Sequence, residues 1–270
     1  MDSLAERWVN RFVILSTCPC SKSPLKSAGQ LDRLHISDRE AVEERFVEMS
    51  QVTLRSPELV PVVEVSPLRF SSRAIPTTAG ADEWHEHWRL CLVDAGIAEM
   101  TSVRTGSWYV PTVHFKTASQ LRTFLRVSIE ALGGFEAVIS KDEVMRLDGG
   151  FAFRDAGSST WIEPGCCGDL SNLSEWKIAA AYRDSGWETL WIGHPWLSVR
   201  YEFPNLILSH PHETTPPVEH CFVPPDELNR AIACAEREVL RFRDAVAQEL
   251  VELGYQGDAV VLAGGLVGLQ

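Results

Sequence analysis

The chain has 270 residues, 45% of them hydrophobic and 23% charged, with a formal net charge of −12 at pH 7. That length supports a substantial core in one large domain or two smaller ones. The acidic balance argues against general binding to nucleic acid or anionic membranes, which need a positive surface, and suits a basic protein partner or solubility alone.

Seven cysteines at irregular spacings fit reduced thiols better than a disulfide framework. The opening residues, MDSLAERWVNRFVIL, are interrupted by Asp2, Glu6 and Arg7 and lack the basic-then-apolar pattern of a secretory leader. No apolar run reaches the length of a membrane span. The expectation is a cytoplasmic protein.

In chain order, Leu4, Trp8, Val9, Phe12 and Val13 recur at helical spacing, and STCPCSKSP (16–24) reads as a loop. Ser37 and Glu40 form a capping box that opens a helix to about Met49. QVTLR and ELVPVVEV read as strands, with Pro61 confining the second to an edge or breaking it. SPLRFSSRAIPTTAG (66–80) reads as a boundary, which sets off residues 1–65 as a small N-terminal unit and 66–270 as the main domain. Residues 82–94 place Trp84, Trp88, Cys91 and Leu92 on one helical face. SVRTGSWYVPTVHF predicts a hairpin turning near Thr105-Gly106. A second capping box, Thr117 to Gln120, starts a helix that stops at Gly133-Gly134.

FEAVIS and EVMRL read as short strands joined at Lys141-Asp142, and GGFAF pairs with TWIEP around residues 156–158. Asp169 or Ser171 caps a helix through Tyr182. WETLWIG, LSVRYEF and LILS are strands, and a Pro-rich crossing, PHETTPPVEHCFVPP, follows them. Leu228, Ile232, Ala235, Val239, Phe242, Val246 and Leu250 then define a long helix from Pro225-Asp226 to Leu253, and VVLAGGLVGLQ is a strand or loose tail. The whole predicts an α+β fold: short, mainly antiparallel strands form a central sheet flanked by helices, with a long C-terminal helix.

The densest chemistry lies between Leu147 and His212. Cys166 and Cys167, with His210 and His212, are candidate zinc ligands, but their spacing is not C-x₂-C or H-x₃-H. Cys18-x-Cys20, His85-x-His87 and His220-Cys221 share that defect. Gly165-Cys166-Cys167-Gly168 ahead of a helix would put a thiol at a helix N-terminus, where His194 could act as its base. Packing of small thiols in a glycine turn explains the same residues and is preferred. Asp148-Gly149-Gly150 precedes a strand, so it lacks a phosphate-loop context, and no G-x-S-x-G, S-x-x-K or H-E-x-x-H occurs. Trp187, Trp191 and Trp196 alternate with Glu188, His194 and Arg200 across the expected sheet. Trp187, Trp191, His194, Trp196 and Arg200 are therefore the candidate partner-binding residues.

The run GCCGDLSNLSEWK followed by WETLWIGHPWLSVR resembles segments of SUKH-type bacterial immunity proteins, which neutralise polymorphic toxins. The matching features are the turn Asp148-Gly149-Gly150 and a strand carrying Trp191-Ile192-Gly193, and they cover the central quarter of the chain. The resemblance implies an acidic, non-enzymatic protein that masks a partner. The leading expectation is thus a cytosolic protein-binding factor of immunity or defence, with no cofactor and no nucleic-acid or membrane partner. Alternatives are a zinc- or thiol-dependent enzyme using Cys166, Cys167, His194, His210 and His212, or a structural subunit of a larger assembly.

Overall fold

The computed structural model describes residues 52–76, 80–140, 143–156, 161–213 and 216–269. All of them belong to one unit that begins at Gln51. The predicted helices near residues 4–13 and 37–49, the loop 16–24 with Cys18 and Cys20, and the Lys141-Asp142 turn lie outside the described residues.

The fold is α+β. Two sheets carry the strands: β1 (Val52–Thr53), β11 (Glu219–Val223), β10 (Asn205–Ser209), β9 (Leu197–Glu202) and β8 (Glu188–Leu190) in that spatial order, and β3 (Tyr109–Pro111), β2 (Pro57–Glu64), β6 (Gly149–Asp155) and β7 (Trp161–Ile162) in the other. A short pair, β4 (Ile139–Ser140) and β5 (Glu143–Val144), stands apart. Among the described strands every pairing is antiparallel except that of β1 with β11. Seven α-helices are described: α1 (Pro67–Phe70), α2 (Ala81–Asp94), α3 (Ala118–Ala131), α4 (Phe135–Val138), α5 (Leu173–Ala181), α6 (Pro225–Glu252) and α7 (Ala259–Leu266).

One continuous core joins both sheets to the helices. The 28-residue α6 supplies Leu228, Ile232, Val239, Phe242, Val246 and Leu250, all buried, and packs on β2, α3, α5 and α7. Side chains of this size contribute about 1.5–3 kcal/mol each when fully buried. Phe115 bridges the layers, with its ring 5.2 Å from Phe124 of α3 and 5.9 Å from Phe242. Trp88 of α2 is buried and donates its indole N–H to the Val65 carbonyl at 2.8 Å, while Trp176 of α5 stacks on Phe153 at 5.2 Å. No described helix is long and apolar enough to cross a membrane.

The Thr117–Gln120 capping box forms as expected: the Thr117 hydroxyl accepts from the Gln120 amide at 3.2 Å, and the Gln120 side chain accepts from the Thr117 amide at 3.2 Å. Several expectations need correction. The chain divides before Gln51 rather than at residue 65, and β2 pairs with β6 inside the four-stranded sheet. The Ser- and Pro-rich stretch after it is partly packed, with Phe70 of α1 stacked on Phe124 at 6.4 Å. Pro61 does not break β2: β3 pairs only Val62, Val63 and Glu64, so the strand is an edge up to the proline. The expected turn at Thr105-Gly106 forms, with the Val103 amide donating to the Tyr109 carbonyl at 2.9 Å, but only its second arm is a strand, β3, which pairs with β2. FEAVIS begins as a helical turn (α4) after Gly134 rather than as a strand, and the Pro-rich crossing contains strand β11. The apolar tail is helix α7, because Asp258 caps it by accepting from the amides of Val260 and Val261, both at 3.0 Å.

The turn between β1 and β2 is pinned from a distance. Buried Asp155, at the end of β6, accepts the amides of Ser56 (2.8 Å) and Arg55 (3.2 Å). Removing a buried acceptor strands those donors, so Asp155→Ala should lower stability by about 2 kcal/mol in urea titrations, and Asp155→Asn by less.

Candidate functional site

The two sheets meet where glycines allow backbone to touch backbone. The Gly149 amide donates to the Gly168 carbonyl at 2.9 Å, and the Gly165 amide to the Ile192 carbonyl at 3.0 Å. Methyl groups at Gly165 or Gly193 would fall within 2.5 Å of the opposite backbone. Gly165, Cys166, Cys167 and Gly168 therefore form a clamp on the segment that joins β8 to β9. Cys166 and His194 exchange two backbone hydrogen bonds (3.0 and 2.9 Å), and the Cys166 thiol donates to the His194 carbonyl at 3.2 Å. Cys167 takes a left-handed conformation, φ 65°. From the other side, Trp196 and His212 exchange backbone bonds of 3.0 and 2.8 Å, and His212 Nε2 lies 2.8 Å from the Ser198 hydroxyl.

The clamped segment projects an aromatic face. The rings of Trp191 and Trp196 lie 6.4 Å apart at 45°, and His194 meets Trp196 edge-on at 5.0 Å. Trp191 is 39% exposed. Carboxylates frame this face. Glu175 of α5 accepts the Trp191 amide at 3.0 Å, and Glu213 lies 3.5 Å from His194 Nδ1.

The remaining candidates sit differently. The three tryptophans 187, 191 and 196 do not alternate across a sheet; each lies just outside a strand end, flanking β8 or preceding β9. Trp187 is covered by the Arg200 guanidinium, 5.4 Å from its ring, and Arg200 is itself paired with Glu219 and Glu202. That pair is internally satisfied. The candidate zinc ligands are not gathered: Cys166 turns to the His194 backbone, His212 to Ser198, and His210 to His220, whose ring centroid is 4.1 Å away. Among the described residues, no group of three or more His, Cys, Asp or Glu side chains is placed to hold a metal ion. Of the candidate thiol–imidazole pair, the Cys166 thiol meets the carbonyl of His194 and the imidazole of His194 faces Glu213.

Two buried groups, Glu64 and Cys221, are shifted in a way that no pattern along the chain signals. Burial, with the negative Asp148 beside it, raises the Glu64 carboxyl to about 7, against an opposing pull from Arg69. Asp148 is held to Arg69 at 2.7 Å. Burial pushes the Cys221 thiol up to about 12, so it stays protonated. No signal along the chain joins Glu64 to Asp148, because only the pairing of β2 with β6 brings them together.

No protein-family model, no curated protein and no solved structure matches the chain.

Proposed function

We propose that the chain is a non-enzymatic binding protein that masks a basic segment of a protein partner, with a Lys or Arg side chain of that segment laid over Trp191. The observation that carries this reading is a contrast among its aromatic rings. Trp161, Trp187 and Tyr201 each have an arginine of the same chain over the ring, Arg154 at 5.6 Å, Arg200 at 5.4 Å and Arg183 at 5.3 Å. Among the described residues no cation covers Trp191 or Trp196, while Glu175 accepts the Trp191 amide and Glu213 lies beside His194, whose ring packs on Trp196. An indole face with neighbouring carboxylates favours a cation, and a net charge of −12 steers a basic partner toward the chain. Masking a toxin or defence component in the cytoplasm, as the resemblance implies, is part of the same proposal.

An arginine-rich peptide is the probe, read by quenching of tryptophan emission at low and high salt. Saturable quenching is expected that weakens about tenfold in Trp191→Ala, the size of one partly desolvated cation–π contact, and that falls with ionic strength. Trp187→Ala, whose ring is already covered by Arg200, should bind as the wild type does. Equal affinity of wild type and Trp191→Ala, or equal binding of a glutamate-rich peptide, refutes the proposal.

A further inference from the structure

At three aromatic rings of the described residues a cation lies over the face, and it is an arginine each time. Each of these arginines is also held by oxygen. Arg154, over Trp161 at 5.6 Å, is paired with Glu58. The three residues form one row across the sheet, because β6 places Arg154 opposite Glu58 of β2 on one side and opposite Trp161 of β7 on the other. Arg200, over Trp187 at 5.4 Å, is paired with Glu219 and, at 3.0 Å, with Glu202. Trp187 precedes Glu188, the partner of Val199, so the register sets it opposite Arg200. Arg183, over Tyr201 at 5.3 Å, donates instead to the carbonyls of Ala180 and Tyr182. An indole, an arginine and a carboxylate thus stand together at Trp161 and again at Trp187.

At Trp191 the same set lacks its arginine. Carried past Leu190 and Leu197, the β8–β9 register sets Trp191 opposite Trp196, and their rings lie 6.4 Å apart. The cross-strand neighbour that supplies a cation to Trp187 is here a second indole. The carboxylate is nonetheless in place: Glu175, in the first turn of α5, accepts the Trp191 amide at 3.0 Å. A carboxylate has several acceptor positions, so one amide leaves room for further donors. Among the described residues no cation is paired with Glu175, and Lys177 on the same helix is taken up by Glu236. The Trp191 side chain is exposed, so an incoming group reaches it.

Building on the recognition reading, we propose that the cation taken at Trp191 is an arginine of the partner, which stacks on the indole and donates to the Glu175 carboxylate. It completes from outside the set that Trp161 and Trp187 find within the chain. A guanidinium is planar and weakly hydrated. When it lies flat on a ring, its N–H groups point outward in its own plane, where a carboxylate takes them as a pair. An ammonium is a compact, strongly hydrated charge without that fork, and it gains less from the ring and the carboxylate together.

The test compares two peptides of equal length and charge, hexa-arginine and hexa-lysine, on the whole chain, read by quenching of tryptophan emission. The wild type is expected to bind the arginine peptide about tenfold tighter than the lysine peptide. In Glu175→Gln, whose side chain can still accept the Trp191 amide, that ratio should fall to about twofold, as the charged half of the fork is lost. In Glu213→Gln, which removes an equal charge beside His194, the ratio should stay at about tenfold. Far-UV circular dichroism matching the wild type shows that both variants fold. A Glu175→Gln chain that keeps the preference, or a Glu213→Gln chain that loses it instead, overturns the assignment. Equal wild-type affinity for the two peptides, with both weakened in Trp191→Ala, overturns the arginine assignment and leaves recognition standing. Quenching by neither peptide refutes recognition and the assignment together.

Discussion

Glu64→Gln is expected to be more stable than the wild-type chain by about 3 kcal/mol at pH 8.5 and by less than about 1 kcal/mol at pH 5, on a scale of 1.36 kcal/mol per unit between the ordinary carboxyl value of 4.5 and about 7 in the fold. The direction follows from where the proton resides. Below pH 4.5 the carboxyl is protonated in both folded and unfolded chains, so folding gains or loses nothing from it. Between 4.5 and 7 the unfolded chain ionises first, which favours unfolding, and above 7 the full penalty of ionising a buried carboxyl beside Asp148 is in place. Glutamine keeps the shape without the charge. Urea midpoints at both pH values check this; coincident curves at pH 8.5 would mean that Arg69 compensates the Glu64 charge fully. The same measurement on Arg69→Ala should show that variant losing stability at high pH more steeply than the wild-type chain, since the neighbouring cation that favours the ionised carboxyl is gone.

Gly149→Ala is expected to cost about 3–5 kcal/mol or to prevent folding. A methyl group there would lie 2.2 Å from the Val62 carbonyl oxygen and 2.9 Å from the Val63 Cα, both backbone atoms of a strand paired on its two sides. Neither can yield without opening the β2–β6 ladder. Gly186→Ala is the control: it meets only the ends of Tyr182 and Asp184 at 3.9 and 4.0 Å, and its effect should stay within about 0.5 kcal/mol. Circular dichroism and urea unfolding of the two variants decide the matter, and a Gly149→Ala chain of wild-type stability would show that the junction is loosely packed.

Local patterns proved readable and long-range ones did not. The spacing of Leu228, Ile232, Val239, Phe242 and Val246 announced α6 because one face of that helix is buried and the other is solvated. Thr117 and Gln120 announced α3 because a capping box is complete within four residues. Helix α7 carries apolar residues all round and two glycines, so no period marks it; its signal was the Asp258 cap, a single residue. Strand β11 hid among prolines whose exclusion from it is visible only once β10 is in place beside it. The crowding of Trp, Cys and His between Leu147 and His212 did mark the surface of interest. The roles within it were not legible, because a strand end turns His210 and His212 to different partners and a glycine clamp directs Cys166 at a carbonyl.

The one parallel pairing among the described strands, Val52 with Cys221 and Thr53 with Phe222, bears on the order in which the chain folds. During synthesis, β1 emerges first among the described strands, yet its partner is the last of them. The four-stranded sheet needs nothing beyond residue 162, so it can close while the rest of the chain is still being made. The five-stranded sheet must wait for β11, and its β1 edge closes the longest loop among the described strand pairings, which is costly in chain entropy. Until then β1 has no partner strand among those described, and because α6 follows β11 directly in the chain, the helix that covers the core is made only after that last strand.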